Sequence, residues 1–302
     1  MNENLQGWIN LYKPTGISSF SAIYKIKKKF NIKKIGHAGT LDPNAEGVLP
    51  IAINKATKLI PFINANLKKY YFKIKWGEQT TTDDAEGEVI KNSSNIPSYE
   101  NIKKIINNFI GYINQIPPKA SSIKVNGKRA YTILRDKKNF TLSEKKVFLK
   151  TIQCLGSEND TSIFLIECGK GFYVRSLARD LAHKLGTFGH TIEIKRLKVG
   201  NFDSKTSILL DDLLKIRQSE LEFNCVYPSI SMLDDILAYE VEKESDLFDL
   251  SLGKKIFIDK EKLIKKKLSS DNKTLVFLSN KGNIVSFGEL AGDLFQPRKV
   301  LT

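Results

Sequence analysis

Apolar and polar positions along this chain alternate between the two periods of regular structure, so several elements can be placed before any chemistry is considered. After Ser18 or Ser19, either of which can cap a helix, Ala22, Ile23, Ile26 and Phe30 recur on one face and lysines on the other. Tyr70 to Trp76 alternates and is rich in aromatics, which predicts a strand. A helix is expected from about Tyr99 to Phe109 after Pro97-Ser98, with Ile102, Ile105, Ile106 and Phe109 as its buried stripe. Another begins near Tyr173 and places Val174, Leu177, Ala178, Leu181 and Leu185 on one side before Gly186 stops it. Beyond about Ser229 the chain turns to short apolar runs, Lys255 to Ile258, Thr274 to Leu278 and Asn283 to Leu290, with a hairpin loop expected at Asn280-Lys281-Gly282-Asn283.

The interval from about Pro118 to Lys146 breaks this pattern. It holds Lys119, Lys124, Lys128, Arg129, Arg135, Lys137, Lys138, Lys145 and Lys146 with little apolar periodicity, and reads as a basic excursion from the core. The whole chain has 48 Lys plus Arg against 33 Asp plus Glu, a formal charge of +15. Such an excess favours a polyphosphate partner through counterion release. Its distribution sharpens the point, because the only acid before Asp42 is Glu3 while seven lysines precede it. Three cysteines, Cys154, Cys168 and Cys225, are too scattered for a C-x-x-C site and odd in number, so reduced thiols are expected. The first residues lack a signal pattern, and no apolar run reaches the length of a membrane span, so a cytoplasmic protein with no membrane contact is expected.

Chemistry concentrates between Gly36 and Pro50. The stretch Gly36-His37-Ala38-Gly39-Thr40-Leu41-Asp42-Pro43-Asn44-Ala45-Glu46-Gly47-Val48-Leu49-Pro50 crowds turn-forming residues around a histidine and two carboxylates. A loop of this kind can present Asp42 at the edge of a pocket, whereas on spacing alone an Asp-Pro turn with nearby glycines is the commoner meaning. The full pattern G-H-A-G-T-L-D-P-x-A-x-G-V-L-P resembles the catalytic loop of bacterial TruB-type tRNA pseudouridine synthases. Further blocks of that family follow in order: Lys13 to Ser19, Lys69-Tyr70-Tyr71 leading to Asp84 and Gly87, Pro117-Pro118 with Lys124 to Tyr131, and Gly169 to Leu181.

The resemblance implies an α+β fold, a mixed, largely antiparallel sheet flanked by helices, with a small C-terminal β-rich PUA-like domain. Residues 1-228 are expected to form the catalytic domain, with an RNA-gripping thumb at about 118-146, and residues 229-302 the PUA-like part bearing Lys254, Lys255, Lys265, Lys266 and Lys267. It also implies isomerisation of the T-loop uridine, position 55 of tRNA, by a monomer that needs no cofactor and no metal. By the same resemblance Asp42 carries the reaction at the sugar, Arg175 pairs with it and keeps it ionised, and Tyr70 stacks on the flipped base. His37 fills the place the base has left, Tyr173 lines the pocket, Asp84 lies near, and Lys13 and Leu197 count among the substrate contacts. One departure is visible, since Ala120 stands where the family usually carries an aromatic residue; any stacking from that position is absent or passes to Tyr131. Two other classes compete with this reading. A metal-dependent hydrolase lacks a ligand set, with histidines only at 37, 183 and 190; a noncatalytic RNA-binding module or RNA-folding chaperone would use the same charge, thumb and C-terminal module.

Overall fold

A computed structural model of the chain describes residues 5–63, 67–136, 138–232, 237–263 and 274–301. Its contacts divide it into two compact units, Met1–Pro43 with Val48–Asn66 and Val199–Thr302, and Asn44–Gly47 with Leu67–Lys198. Among the basic residues noted above, Lys137, Lys265, Lys266 and Lys267 lie outside the described residues, as do Glu3 and the rest of Met1 to Asn4.

In the first unit the strand Gly7–Lys13 is almost wholly buried and pairs in parallel with Ile208–Leu209. The short strand Ile35–His37 runs antiparallel to the end of Ala45–Ile53. The helix Ser19–Lys29 forms as its period dictates: Ser18 caps it by accepting from the Ser21 N–H at 3.0 Å, and Ala22, Ile23 and Ile26 are buried. Lys27, Lys28 and Lys29 in its last turn complement the helix dipole. Toward the C-terminus a five-stranded sheet has the order Leu237–Glu240, Thr274–Asn280, Asn283–Ala291, Leu294–Val300, Ile256–Phe257. The turn at Lys281-Gly282 lies where the sequence predicts it, joining the paired Asn280 and Asn283. The strand Leu237–Glu240 and the helix Glu244–Ser251 were not legible in the apolar runs. This sheet shares one buried cluster with the N-terminal segments, in which Trp8, Val48 and Leu59 pack with Met232, Phe277, Ile284 and Phe287. The indole N–H of Trp8 finds the carbonyl of Ser229 at 3.1 Å, so burying the ring leaves no polar atom unsatisfied.

In the second unit Ile194, Lys195 and Arg196 of the strand Gly189–Val199 pair in parallel with Ala45, Glu46 and Gly47. Lys68–Trp76, Thr161–Cys168, Lys145–Glu158 and Gly111–Gln115 follow in the sheet, the last three junctions antiparallel. The predicted alternation of Lys68–Trp76 is strict, every second side chain being buried. Phe72 faces Phe164 across the ladder with ring centroids 5.3 Å apart. The helix Tyr99–Ile106 starts at Ser98 as expected and tightens to a single 3₁₀ turn over Asn107–Phe109. The helix Val174–Lys184 buries Val174, Leu177, Ala178, Leu181 and Ala182.

The basic excursion is folded, although locally. Lys124–Val125 and Lys128–Arg129 form a hairpin whose turn is Asn126-Gly127, both left-handed with φ +49° and +81°, the pair of conformations that a two-residue turn demands. The short helix Ala130–Arg135 follows.

Candidate active site

The loop bearing Asp42 is organised by side chains from the segment Lys13 to Ser19. Lys13 is fully buried, and its ammonium donates to the carbonyls of Pro14 at 2.8 Å, Ile17 at 2.8 Å and Pro43 at 3.2 Å. A buried cation is costly unless its donors are used, and three carbonyl dipoles use all three. Ser19 exchanges two bonds with Leu41, its hydroxyl donating to the carbonyl at 2.8 Å and accepting from the N–H at 2.9 Å. The Gly16 N–H adds a bond to Pro43 O at 3.0 Å, and Ala38 N–H reaches Pro50 O at 2.9 Å. Both neighbours of Asp42 are thereby pinned, and Asp42 itself is half-buried. His37 is half-buried on its short strand, opposite Ile51.

On the second unit Gly47 shows why glycine is required where the loop runs into the sheet. Its φ is +112°, and a Cβ there would lie 2.2 Å from the carbonyl oxygen of Arg196. Arg196 is 1 % exposed. Burial pushes the Lys68 ammonium down to about 8, with Arg196 the next cause. Tyr70, 8 % exposed, lies on the same strand face as Lys68 and pairs with Ile166. Leu197 is half-buried on the neighbouring strand Gly189–Val199.

The first turn of the helix Val174–Lys184 carries the other polar cluster. Arg175, its side chain 4 % exposed, donates from Nη1 to Asp84 Oδ2 at 3.0 Å and to Thr82 O at 2.9 Å, and from Nη2 to Ala120 O at 2.9 Å. Asp84 is oriented by Thr82 Oγ1, which donates to its Oδ1 at 2.5 Å, and by the Glu86 N–H at 3.1 Å. One turn on, Arg179 donates to Asp83 Oδ2 at 2.8 Å, to Ile116 O at 2.7 Å and to Asp180 Oδ1 at 3.0 Å. Burial pushes the Asp83 and Asp180 carboxyls up, and Arg179 opposes that shift in both. Ser176 donates to Ile116 O at 2.8 Å, while Gln115 brackets the backbone of Tyr173, accepting from its N–H at 3.0 Å and donating to its carbonyl at 3.2 Å. The root of the basic excursion is therefore tied to this helix end at four points.

Within the first unit the structure brings Lys13 to the Asp42 loop, but by a route the sequence did not disclose. Lys13, expected as a substrate contact, is withdrawn from solvent with its ammonium held by backbone carbonyls, so the geometry makes it a support of the loop. Within the second unit it brings Arg175 to Asp84, with the half-buried Tyr173 one residue before Arg175. Ala120 meets Arg175 through its carbonyl, and Tyr131 lies 44 % exposed with the Arg129 guanidinium 5.9 Å over its ring. Sequence reasoning missed Ser19, Gln115 and Arg179. For Arg179 the spacing of four from Arg175 on one helix face was a usable signal. Among the described residues no group of three or more His, Cys, Asp or Glu side chains is arranged to hold a metal ion, and no helix is long and apolar enough to cross a membrane.

Residues 27–174 match the model of the TruB family pseudouridylate synthase N-terminal domain. The tRNA pseudouridine synthase B of Ehrlichia ruminantium (strain Gardel) is 47% identical over 234 residues, 77% of this chain and 79% of that protein. That of Caulobacter sp. (strain K31) is 38% identical over 299 residues, 98% of this chain and 96% of that protein. In fold the chain is similar to a protein chain in the crystal structure of a Cbf5-Nop10-Gar1 complex, with a TM-score of 0.74 at 24% identity, covering 98% of this chain and 85% of that one.

Proposed function

Since this chain belongs to the TruB family of pseudouridylate synthases, we propose that it isomerises uridine to pseudouridine in tRNA, at the T-loop uridine of position 55. The observation that carries this reading is the likeness to a tRNA pseudouridine synthase B over nearly the whole length of both chains. In the reaction the bond from ribose C1′ to uracil N1 breaks, the base turns, and C1′ joins C5. The C5 proton leaves and N1 regains one, so atoms balance with no cofactor. Asp42 is the carboxylate that answers the positive charge developing at C1′, as carboxylates do in glycoside chemistry. Burial by bound RNA would favour its neutral form, and Arg175, always charged and aimed by Asp84, is the cation that counters this. Tyr70 offers a ring face to the flipped base, with Tyr173 and Leu197 around it. His37 occupies the gap left in the T loop.

Residues 1–228 form the catalytic part under this reading, with 118–146 gripping the T arm, and 229–302 add an RNA-binding module. The protein acts as a monomer in the cytoplasm without metal, in keeping with three unpaired thiols. Incubating purified protein with tRNA carrying tritium at uridine C5 tests it. Tritium release with one new pseudouridine in the T loop is expected. Tight tRNA binding with no release would favour a noncatalytic binder, and release from another loop would overturn the assignment of position.

A further inference from the structure

The helix Ser19–Lys29 displays a feature that neither its packing nor the proposed chemistry uses. Phe20 and Tyr24 point to solvent, 71 % and 58 % exposed, with ring centroids 6.4 Å apart and planes inclined by 19°. The buried face of this helix is made by other residues, Ala22, Ile23 and Ile26, so the exposed rings do not serve the core. At helical spacing Lys27 and Lys28, both exposed, lie on the same side one turn beyond Tyr24. No acid occurs in the helix or anywhere between Glu3 and Asp42. The first residue of the helix, Ser19, is the one that exchanges two hydrogen bonds with Leu41, so Phe20 is next in sequence to an anchor of the Asp42 loop.

Two aromatic faces followed by two ammonium groups match a nucleic acid strand, in which bases and phosphates alternate. An acidic protein partner would account for the lysines but would not call for open ring faces, and an apolar one would strip water from the ammonium groups without pairing them. We propose that Phe20 and Tyr24 form a stacking platform for an unpaired base of the tRNA, with Lys27 and Lys28 taking the flanking phosphates. This rests on the reading of tRNA as substrate and adds a contact outside the reaction centre.

The test uses the full chain. The Phe20→Ala/Tyr24→Ala double variant should keep the turnover rate at saturating tRNA and raise KM about tenfold, the scale of one lost base stack. Phe20→Tyr/Tyr24→Phe should restore it, whereas Phe20→Leu/Tyr24→Leu should not. In a second arm, Tyr24→Trp is placed in an Asp42→Asn background. The native Trp8 and Trp76 are buried, so the new indole reports the surface, and its fluorescence should be quenched as tRNA is added. An active wild type whose KM is unchanged by the double alanine variant overturns the proposal, as does an unquenched indole at saturating tRNA. A change confined to self-association, read by sedimentation, would also overturn it and assign the rings to a protein contact. Failure of the wild type to release tritium would sink the enzymatic reading alone, since the quench still decides whether the rings meet RNA.

Discussion

Two acidic loops are held in opposite ways. Around Asp42 the backbone is fixed by donors from elsewhere, Lys13 on Pro43 and Ser19 on Leu41. Around Asp83 and Asp84 the acids themselves do the holding, each carboxylate bound by an arginine of one helix turn. The difference teaches how to tell a structural aspartate from a candidate for chemistry. Where the side chain carries the fold, replacing it should cost stability first; where other groups carry the backbone, replacement should cost function first.

The largest effect that would test this contrast is on turnover. Asp42→Asn should lower tritium release by on the order of 10⁴-fold, with a melting temperature and tRNA affinity close to wild type; a large loss of stability would erase the distinction. Next comes the support. Lys13→Met should cost about 4 kcal/mol in denaturant unfolding, since it removes a buried ammonium together with the three bonds that tie Pro14, Ile17 and Pro43, and turnover should fall with it. Asp84→Asn should cost about 3 kcal/mol by breaking its buried ion pair with Arg175, read by the same unfolding curves. An activity loss there without any loss of stability would place Asp84 with Asp42 rather than opposite it.

The smallest effect concerns a second buried lysine. Lys68 has its ammonium pushed down to about 8 from 10.5, by burial first and by Arg196 next. A base whose folded pKa is lowered binds its proton more tightly in the unfolded chain, so the wild type should gain stability as pH rises from about 8 to about 10. Lys68→Met should remove that slope, and at pH 7 should be the more stable protein by roughly 2–3 kcal/mol. Lys13, with three carbonyls around it, should show no comparable gain when replaced, which separates the two lysines by experiment.

Much of the fold was legible because period and caps are local. The Ser18 and Ser98 caps, the alternation of Lys68–Trp76 and the turn at Lys281-Gly282 each depend on residues a few positions apart. The strand Leu237–Glu240 was missed because four residues cannot show a period. The fate of Lys13 was illegible for a different reason. A lysine among lysines reads as solvated, and only the return of Pro43, 30 residues later, supplies the carbonyl that draws it inside. Arg175 and Asp84 are 91 residues apart, and the family pattern assigns Arg175 to Asp42, so neither spacing nor pattern announced this ion pair. Gln115 offered no signal, since its task is set by the backbone of Tyr173.

What Arg175 receives from position 120 is a main-chain oxygen, so the basic segment 118–146 can diverge in its side chains at this point. Any residue can furnish that oxygen, so the usual aromatic could be exchanged for alanine without loosening the guanidinium. The corresponding segment transplanted from a relative should therefore graft successfully if its first few residues trace the same path, whatever side chains they carry. Grafts that shift this path by a single insertion should fail, even with every basic residue retained.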